Sequence, residues 1–248
     1  MRDLTFIDIE TTGLEPDYHE IIEVAAVRLS PKTLGIVSQL EFKVRPEHPE
    51  RCEPQAIQKN NYSTEDWKNA LPLIEVLQKL TPVLHGSILA GHNVFFDWSF
   101  LHEAYRRTQT VNPDVDYHMV DTVSLAWPLV VAGVIEKPTL RMLCDGFSIS
   151  NEGAHTAGHD VRRTIEVYKH LVGDSHASLF QKWHRLKLDE RTIVETIVNR
   201  LDAGRSDYGA WRIQTDQRRY PREAFLEILD AMNYCAAELL RLERGALS

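Results

Sequence analysis

Two carboxylates, Asp8 and Glu10, stand two residues apart inside an apolar run made by Leu4, Phe6, Ile7 and Ile9. Such a run belongs in a strand, where side chains alternate between faces, so residues 8 and 10 point to the same side. Like charges at that spacing repel, and one pKa rises unless a cation sits between them. The rival reading, a solvated edge strand with outward acids, conflicts with the apolar neighbours on both sides. A metal ion is the simplest way to hold the pair.

Two further acidic segments lie far along the chain. Asp97 follows Ile88-Leu89-Ala90 and the turn-like Gly91-His92-Asn93, and it opens a segment (Phe96, Phe100, Leu101, Ala104) with helical spacing. An acid in that first turn also complements the helix dipole, so Asp97 alone decides nothing. Phe95 and Phe96 fit either a core or a base-stacking role. Asp160 starts a second amphipathic run (Val161, Thr164, Ile165, Val167, Tyr168, Leu171), with His155 in the preceding loop and His159 as a competing histidine. Oxygen-only ligands such as these four acids suit Mg²⁺ or Mn²⁺ rather than Zn²⁺. Two such ions about 3.5 to 4 Å apart clamp the attacking and leaving oxygens of a phosphodiester, which points to a chain that cuts nucleic acid.

Taken in order, Asp8-x-Glu10, Asn93-x-x-x-Asp97 and His155-x-Ala157-x-x-Asp160 resemble the motifs of the DEDDh group of DnaQ-like 3′-to-5′ exonucleases. Thr11, Thr12, Gly13 and Leu14 resemble the family's first motif, His92-Asn93 its second, and Val120-Asp121-Thr122 a recurrent strand end; the likeness covers about residues 1 to 174. Gly158 and His159 depart from it, standing where the family often carries bulkier or acidic residues. The resemblance implies that Asp8, Glu10, Asp97 and Asp160 ligate two divalent cations, Asp8 bridging them. His155 is then the general base for the attacking water, a role that suits an imidazole with a pKa of about 6.5. It further implies Thr11 on the terminal 3′-OH, Leu14 as a wedge against the last base, and Thr12, Gly13, His92, Asn93 and Phe96 as further substrate contacts. The expected reaction releases nucleoside 5′-monophosphates from nucleic-acid 3′ ends, single-stranded DNA favoured. RNA stays open as a substrate, because no residue declares how a 2′-OH is housed. A non-catalytic binding module would lack ligands, and none is missing.

Composition agrees with a soluble globular enzyme: 43% hydrophobic and 26% charged residues over 248 positions. Cys52, Cys144 and Cys235 are scattered without CxxC spacing, which argues against a disulfide framework or a zinc site and for a reducing cytoplasm. Early acids argue against a signal peptide, and the longest apolar stretch, Leu125 to Ile135, is too short to span a bilayer. The net charge is −8, with 16 basic and 25 acidic residues before Ser175, so long-range capture of duplex is not expected. Arg106, Arg107, Arg141, Arg162 and Arg163 are the nearest basic candidates for a strand path, each more readily read as a solvated charge.

Strands are expected at Leu4 to Ile9, Ile21 to Leu29 and Ile36 to Val44 as an antiparallel meander. Helices follow at about Leu71 to Leu84, Asp97 to Arg107, Thr122 to Val131, Leu140 to Asp145 and Asp160 to Val172, alternating with short strands at Ile88 to Ala90 and His118 to Val120. The result is a mixed α/β sheet flanked by helices, resembling the ribonuclease H-like fold, over residues 1 to 174. Residues 175 to 248 read as a helical C-terminal accessory region with helices at Leu188 to Leu201 and Arg222 to Leu242. Partner binding, self-association or strand guidance through Arg205, Arg212, Arg218, Arg219 and Trp211 is its expected use. Glu227-x-x-Asp230 faintly resembles all-α nucleotide pyrophosphohydrolases, although an acidic helix face is usually just solvated.

Overall fold

The computed structural model describes residues 2–60, 62–152, 156–173 and, within 187–199, residues 187, 188, 190–193, 195, 196, 198 and 199. Met1–Gln181 form one compact unit and Lys182–Ser248 a second. In the second unit, the described residues from 188 to 199 are helical. Trp211, Arg205, Arg212, Arg218, Arg219 and the expected Arg222 to Leu242 helix with Glu227 and Asp230 lie outside the described residues, as does His155.

The first unit is built on β1 (Leu4–Thr11), β2 (Ile21–Leu29), β3 (Ile36–Lys43), β4 (Ile88–Gly91) and β5 (Met119–Asp121), in the order β3-β2-β1-β4-β5. β1 pairs antiparallel with β2 and parallel with β4; β2–β3 is antiparallel and β4–β5 parallel. The acid-bearing strand is therefore the central one, and the edge-strand alternative falls. Its parallel pairing with β4 covers only Leu4 to Phe6. Beyond Phe6 that side of β1 is open, which leaves backbone N–H groups for other partners.

Among the described residues of this unit there are six α-helices, α1 (Pro54–Lys59), α2 (Leu73–Leu84), α3 (Val94–Thr108), α4 (Thr122–Val131), α5 (Leu140–Gly146) and α6 (Ala157–Val172); α2, α3 and α6 pack on the sheet, and α4 and α5 pack on α6. All but α1 match the expected periodic runs; α1 is only six residues long and buries none of them, so it leaves no amphipathic trace. On one face, Ile7 and Ile9 of β1 pack with Val24, Leu77, Leu80, Phe100 and Leu101 of β2, α2 and α3. On the other, Leu4, Phe6, Ala25 and Val27 pack against Ala157, Val161 and Ile165 of α6. The alternation along β1 puts Asp8 and Glu10 on this second face, beneath the start of α6. Among the described residues, no helix is long and apolar enough to cross a membrane.

Candidate active site

The acids gather where β1 ends and α3 and α6 begin. Asp8, Glu10 and Asp160 each offer a carboxylate oxygen, and these oxygens lie within 4.8 Å of one another. β1 supplies two of the acids at the spacing that shares a face, and the first turn of α6 supplies the third. Asp97, in the first turn of α3, stands outside this tight triad. Its Oδ1 accepts a hydrogen bond of 2.9 Å from Ile9 N–H, one of the groups β4 leaves unpaired. Asp97 thus does more than complement a helix dipole, because it binds the two elements of the site together.

The electrostatics register the crowding. Desolvation by burial, then the charges of Asp97, Asp160 and Glu10, push Asp8 well above the usual carboxylate range, although part of Asp8 reaches solvent. Burial likewise raises Asp97, opposed by the hydrogen bond from Ile9. Glu10, only 7% exposed, is pushed up to about 7 by burial and by Asp160 and Glu23, with Lys59 pulling the other way. Arg163 beside Asp160 and the charge of Lys59 offset only part of the negative charge gathered here. An all-oxygen donor set gathered within 4.8 Å fits a hard divalent cation such as Mg²⁺ or Mn²⁺.

Two acids and a histidine near the site act on its frame. Glu23 faces Glu10 across the β1–β2 ladder and is buried; its Oε2 accepts a 3.1 Å hydrogen bond from Ala157 N–H, the first residue of α6. Reading the sequence missed Glu23, although it shows the same signal as Asp8: an acid inside the apolar run Ile21-Ile22-Glu23-Val24. Asp121 ends β5 and accepts from both Asn93 N–H (3.0 Å) and Val123 N–H (2.8 Å), joining the turn before α3 to the start of α4. His92 Nδ1 lies 2.9 Å from Thr122 Oγ1, and burial lowers its pKa. Asn93 takes the left-handed conformation (φ 64°) that admits the sharp entry into α3.

The residues expected to meet substrate divide. Leu14 is 73% exposed, so an ordinary core role for it is ruled out. Thr11 is buried, and its hydroxyl donates to Gly13 O at 2.6 Å. The Thr12 side chain is fully buried, and its hydroxyl accepts from Glu20 N–H at 2.9 Å, which leaves the backbone of this turn as what it can offer a substrate. Gly13 is also buried, under the His19 ring, which would lie 2.3 Å from any added Cβ, so it shapes the turn. Phe96 is partly buried. Its ring packs 5.0 Å from Phe100 against the core, while Phe95, 63% exposed, lines an open groove of about 600 Å³ with Pro16, Asp17, Trp98 and His102. Among the arginines, Arg106 pairs with Glu103, Arg107 donates to Pro16 and His19 carbonyls, and Arg162 pairs with Glu41. Arg163, read as a solvated charge, is instead buried and paired with Asp160. Gly158 sits where the Glu41 carboxylate fills the space of a Cβ.

Comparison with known proteins agrees with this geometry. The exonuclease family model, RNase_T, matches residues 5–168. DNA polymerase III subunit epsilon of Treponema pallidum is 25% identical over 204 residues, covering 82% of this chain and 90% of that protein. Ribonuclease T of Buchnera aphidicola is 27% identical over 180 residues, 67% of this chain and 82% of that one. The zinc-bound E. coli ExoI–ssDNA complex superposes with a TM-score of 0.63 at 18% identity, over 78% of this chain and 45% of that one. This chain thus spans less than half of exonuclease I, and that likeness concerns the fold. With the family match running from β1 into α6 and the acids of all three motifs in place, the chain belongs to the exonuclease family, as a metal-dependent DnaQ-like 3′-to-5′ exonuclease of the ribonuclease H-like superfamily.

Proposed function

We propose that the chain removes nucleotides from the 3′ end of single-stranded DNA with two divalent cations, Mg²⁺ or Mn²⁺, which Asp8, Glu10, Asp97 and Asp160 would hold. The observation that carries this reading is the convergence of Asp8, Glu10 and Asp160 oxygens within 4.8 Å at the end of the central strand. Such ions, when bound, offset the charge that develops on the attacking and leaving oxygens. The protein's share is orientation and proton transfer. Asp97 fixes the end of β1 against α3 through Ile9, so the four acids keep their spacing. His155 accepts the proton of the attacking water, and it stands two residues before Ala157, whose N–H is anchored on Glu23. Leu14, in the turn after β1, and Phe95, in the first turn of α3, present exposed apolar surface suited to the last bases of a strand. Thr11, with its hydroxyl proton taken by Gly13, meets a terminal 3′-OH as acceptor.

The relatives support both nucleic-acid classes: one is named as a DNA polymerase subunit, another as a ribonuclease. An RNA 3′ end meets the same acids. The deciding experiment is time-resolved digestion of 5′-labelled single-stranded DNA, duplex DNA and RNA with Mg²⁺, Mn²⁺ or EDTA. Single-nucleotide ladders from the 3′ end, fastest on single-stranded DNA and abolished by EDTA, are expected. Faster cleavage of RNA would redirect the substrate assignment, and no cleavage of any strand would reject the reading. For residues 175 to 248 we keep the accessory role. Their removal should weaken strand affinity or self-association while dinucleotide cleavage survives.

A further inference from the structure

We propose that Arg163 is a positioning residue that ties the metal-ligating Asp160 to the chain segment bearing His155; this rests on the function proposed above. Asp160 and Arg163 lie three residues apart on α6, hence on one face, and Arg163 Nη2 donates to Asp160 Oδ1. The other arm of the guanidinium, Nη1, donates to Asn151 Oδ1 at 2.7 Å, and Asn151 Nδ2 in turn donates to Asp145 Oδ1 at 2.7 Å. One planar fork therefore holds a site acid and the near end of residues 151–157. The far end is pinned separately by Ala157 N–H on Glu23. His155 falls between these two anchors.

Stability alone gives a poor reason for this arrangement. Arg163 is 8% exposed, and its Nε has no hydrogen-bond partner among the described residues, so a desolvated charge is kept with one donor unsatisfied there. An apolar residue of similar volume in such a place is often neutral or stabilising, and a lysine, a single point donor, cannot serve both acceptors in a fixed plane. A carboxylate has two oxygens, so Asp160 engages arginine through Oδ1 and still offers the cluster a ligand. Groups that orient ligands from behind in this way typically change metal affinity or activity by about 10- to 100-fold when lost.

The test uses the full chain with Arg163→Gln, Arg163→Lys and Asn151→Ala, each compared with wild type in three measurements. These are Mn²⁺ affinity by calorimetry without substrate, kcat and KM on a single-stranded dT oligonucleotide, and hydrogen exchange of the 150–158 region in EDTA. Arg163→Gln should weaken Mn²⁺ binding and lower kcat, each by about tenfold or more, with KM within about twofold. Arg163→Lys, which keeps a charge beside Asp160, should restore Mn²⁺ affinity but not kcat. Asn151→Ala should lower kcat and speed exchange across 150–158 with Mn²⁺ affinity unchanged, and adding it to Arg163→Gln should lower kcat no further. Wild-type kcat and Mn²⁺ affinity in Arg163→Gln, or independent multiplication of the two losses, would overturn the proposal. If Arg163→Gln fails to fold, wild-type kcat in Asn151→Ala overturns it alone. Asp160→Asn and His155→Ala serve as controls. Full activity in either would sink the underlying functional reading, whereas two inactive controls beside a normal Arg163→Gln would sink only the role of Arg163.

Discussion

Replacing Glu10 by glutamine should make the metal-free protein more stable while destroying its activity. Burial and the facing acids push Glu10 from its ordinary 4.5 up to about 7. Below pH 4.5 the folded and unfolded chains both hold that proton, and the site costs nothing. Between 4.5 and 7 the unfolded chain releases it while the folded chain keeps it, so stability falls as pH rises; above 7 the whole cost is present. At 1.36 kcal/mol per pKa unit the cost is about 3 kcal/mol. A glutamine carries no charge, and its amide can donate to the facing carboxylates. In EDTA at pH 8, Glu10→Gln should therefore gain up to about 3 kcal/mol, which for a domain of this size raises Tm by roughly 6 to 12 °C. At pH 4 the two proteins should melt together. Saturating Mg²⁺ should reverse the order, because only wild type keeps the full anionic ligand set. The assay is thermal melting with urea titration across pH, with EDTA or Mg²⁺. A glutamine variant that melts at or below wild type in EDTA at pH 8 would refute the reasoning.

Four other outcomes follow. His155→Ala should remove most of kcat while DNA and Mg²⁺ binding persist, as read by single-turnover kinetics and calorimetry. Gly91→Ala would bring a Cβ to 3.1 Å from Ile7 O and 3.0 Å from Val94 Cβ, and should lower stability by about 1 to 3 kcal/mol in urea titration. Leu14→Ala and Phe95→Ala, both at exposed positions, should leave stability within about 0.5 kcal/mol and raise KM for a single-stranded oligonucleotide. Since a ligating carboxylate must lose its proton, the Mg²⁺ concentration for half-maximal activity should fall as pH rises through about 7, the value of Glu10. A flat metal requirement from pH 6 to 8 would contradict that.

Much of this architecture could be read from local pattern. The apolar runs around Asp8 and Val24 became the two most buried strands, and the 3.6-residue spacing after Asp97 and Asp160 became α3 and α6, each starting three residues earlier than read. What escaped depends on pairing in three dimensions. Glu23 gains its role only because the β1–β2 register sets it opposite Glu10 and below Ala157. Arg163 looks like its neighbour Arg162 until the turn of α6 sends one inward to Asp160 and the other outward to Glu41. Phe95 and Phe96 are adjacent aromatics, and only the rotation of α3 decides which faces the core. Thr12 reads as part of a substrate loop, yet its hydroxyl closes that loop from inside.

The claim on which the rest depends is that Asp8, Glu10, Asp97 and Asp160 together hold a pair of hard cations. Anomalous diffraction from crystals soaked in Mn²⁺ with a nucleoside 5′-monophosphate tests it most directly. The account predicts two manganese peaks about 3.5 to 4 Å apart, both in contact with Asp8. Manganese bound elsewhere, or absent from these acids at a concentration that supports catalysis, would contradict it.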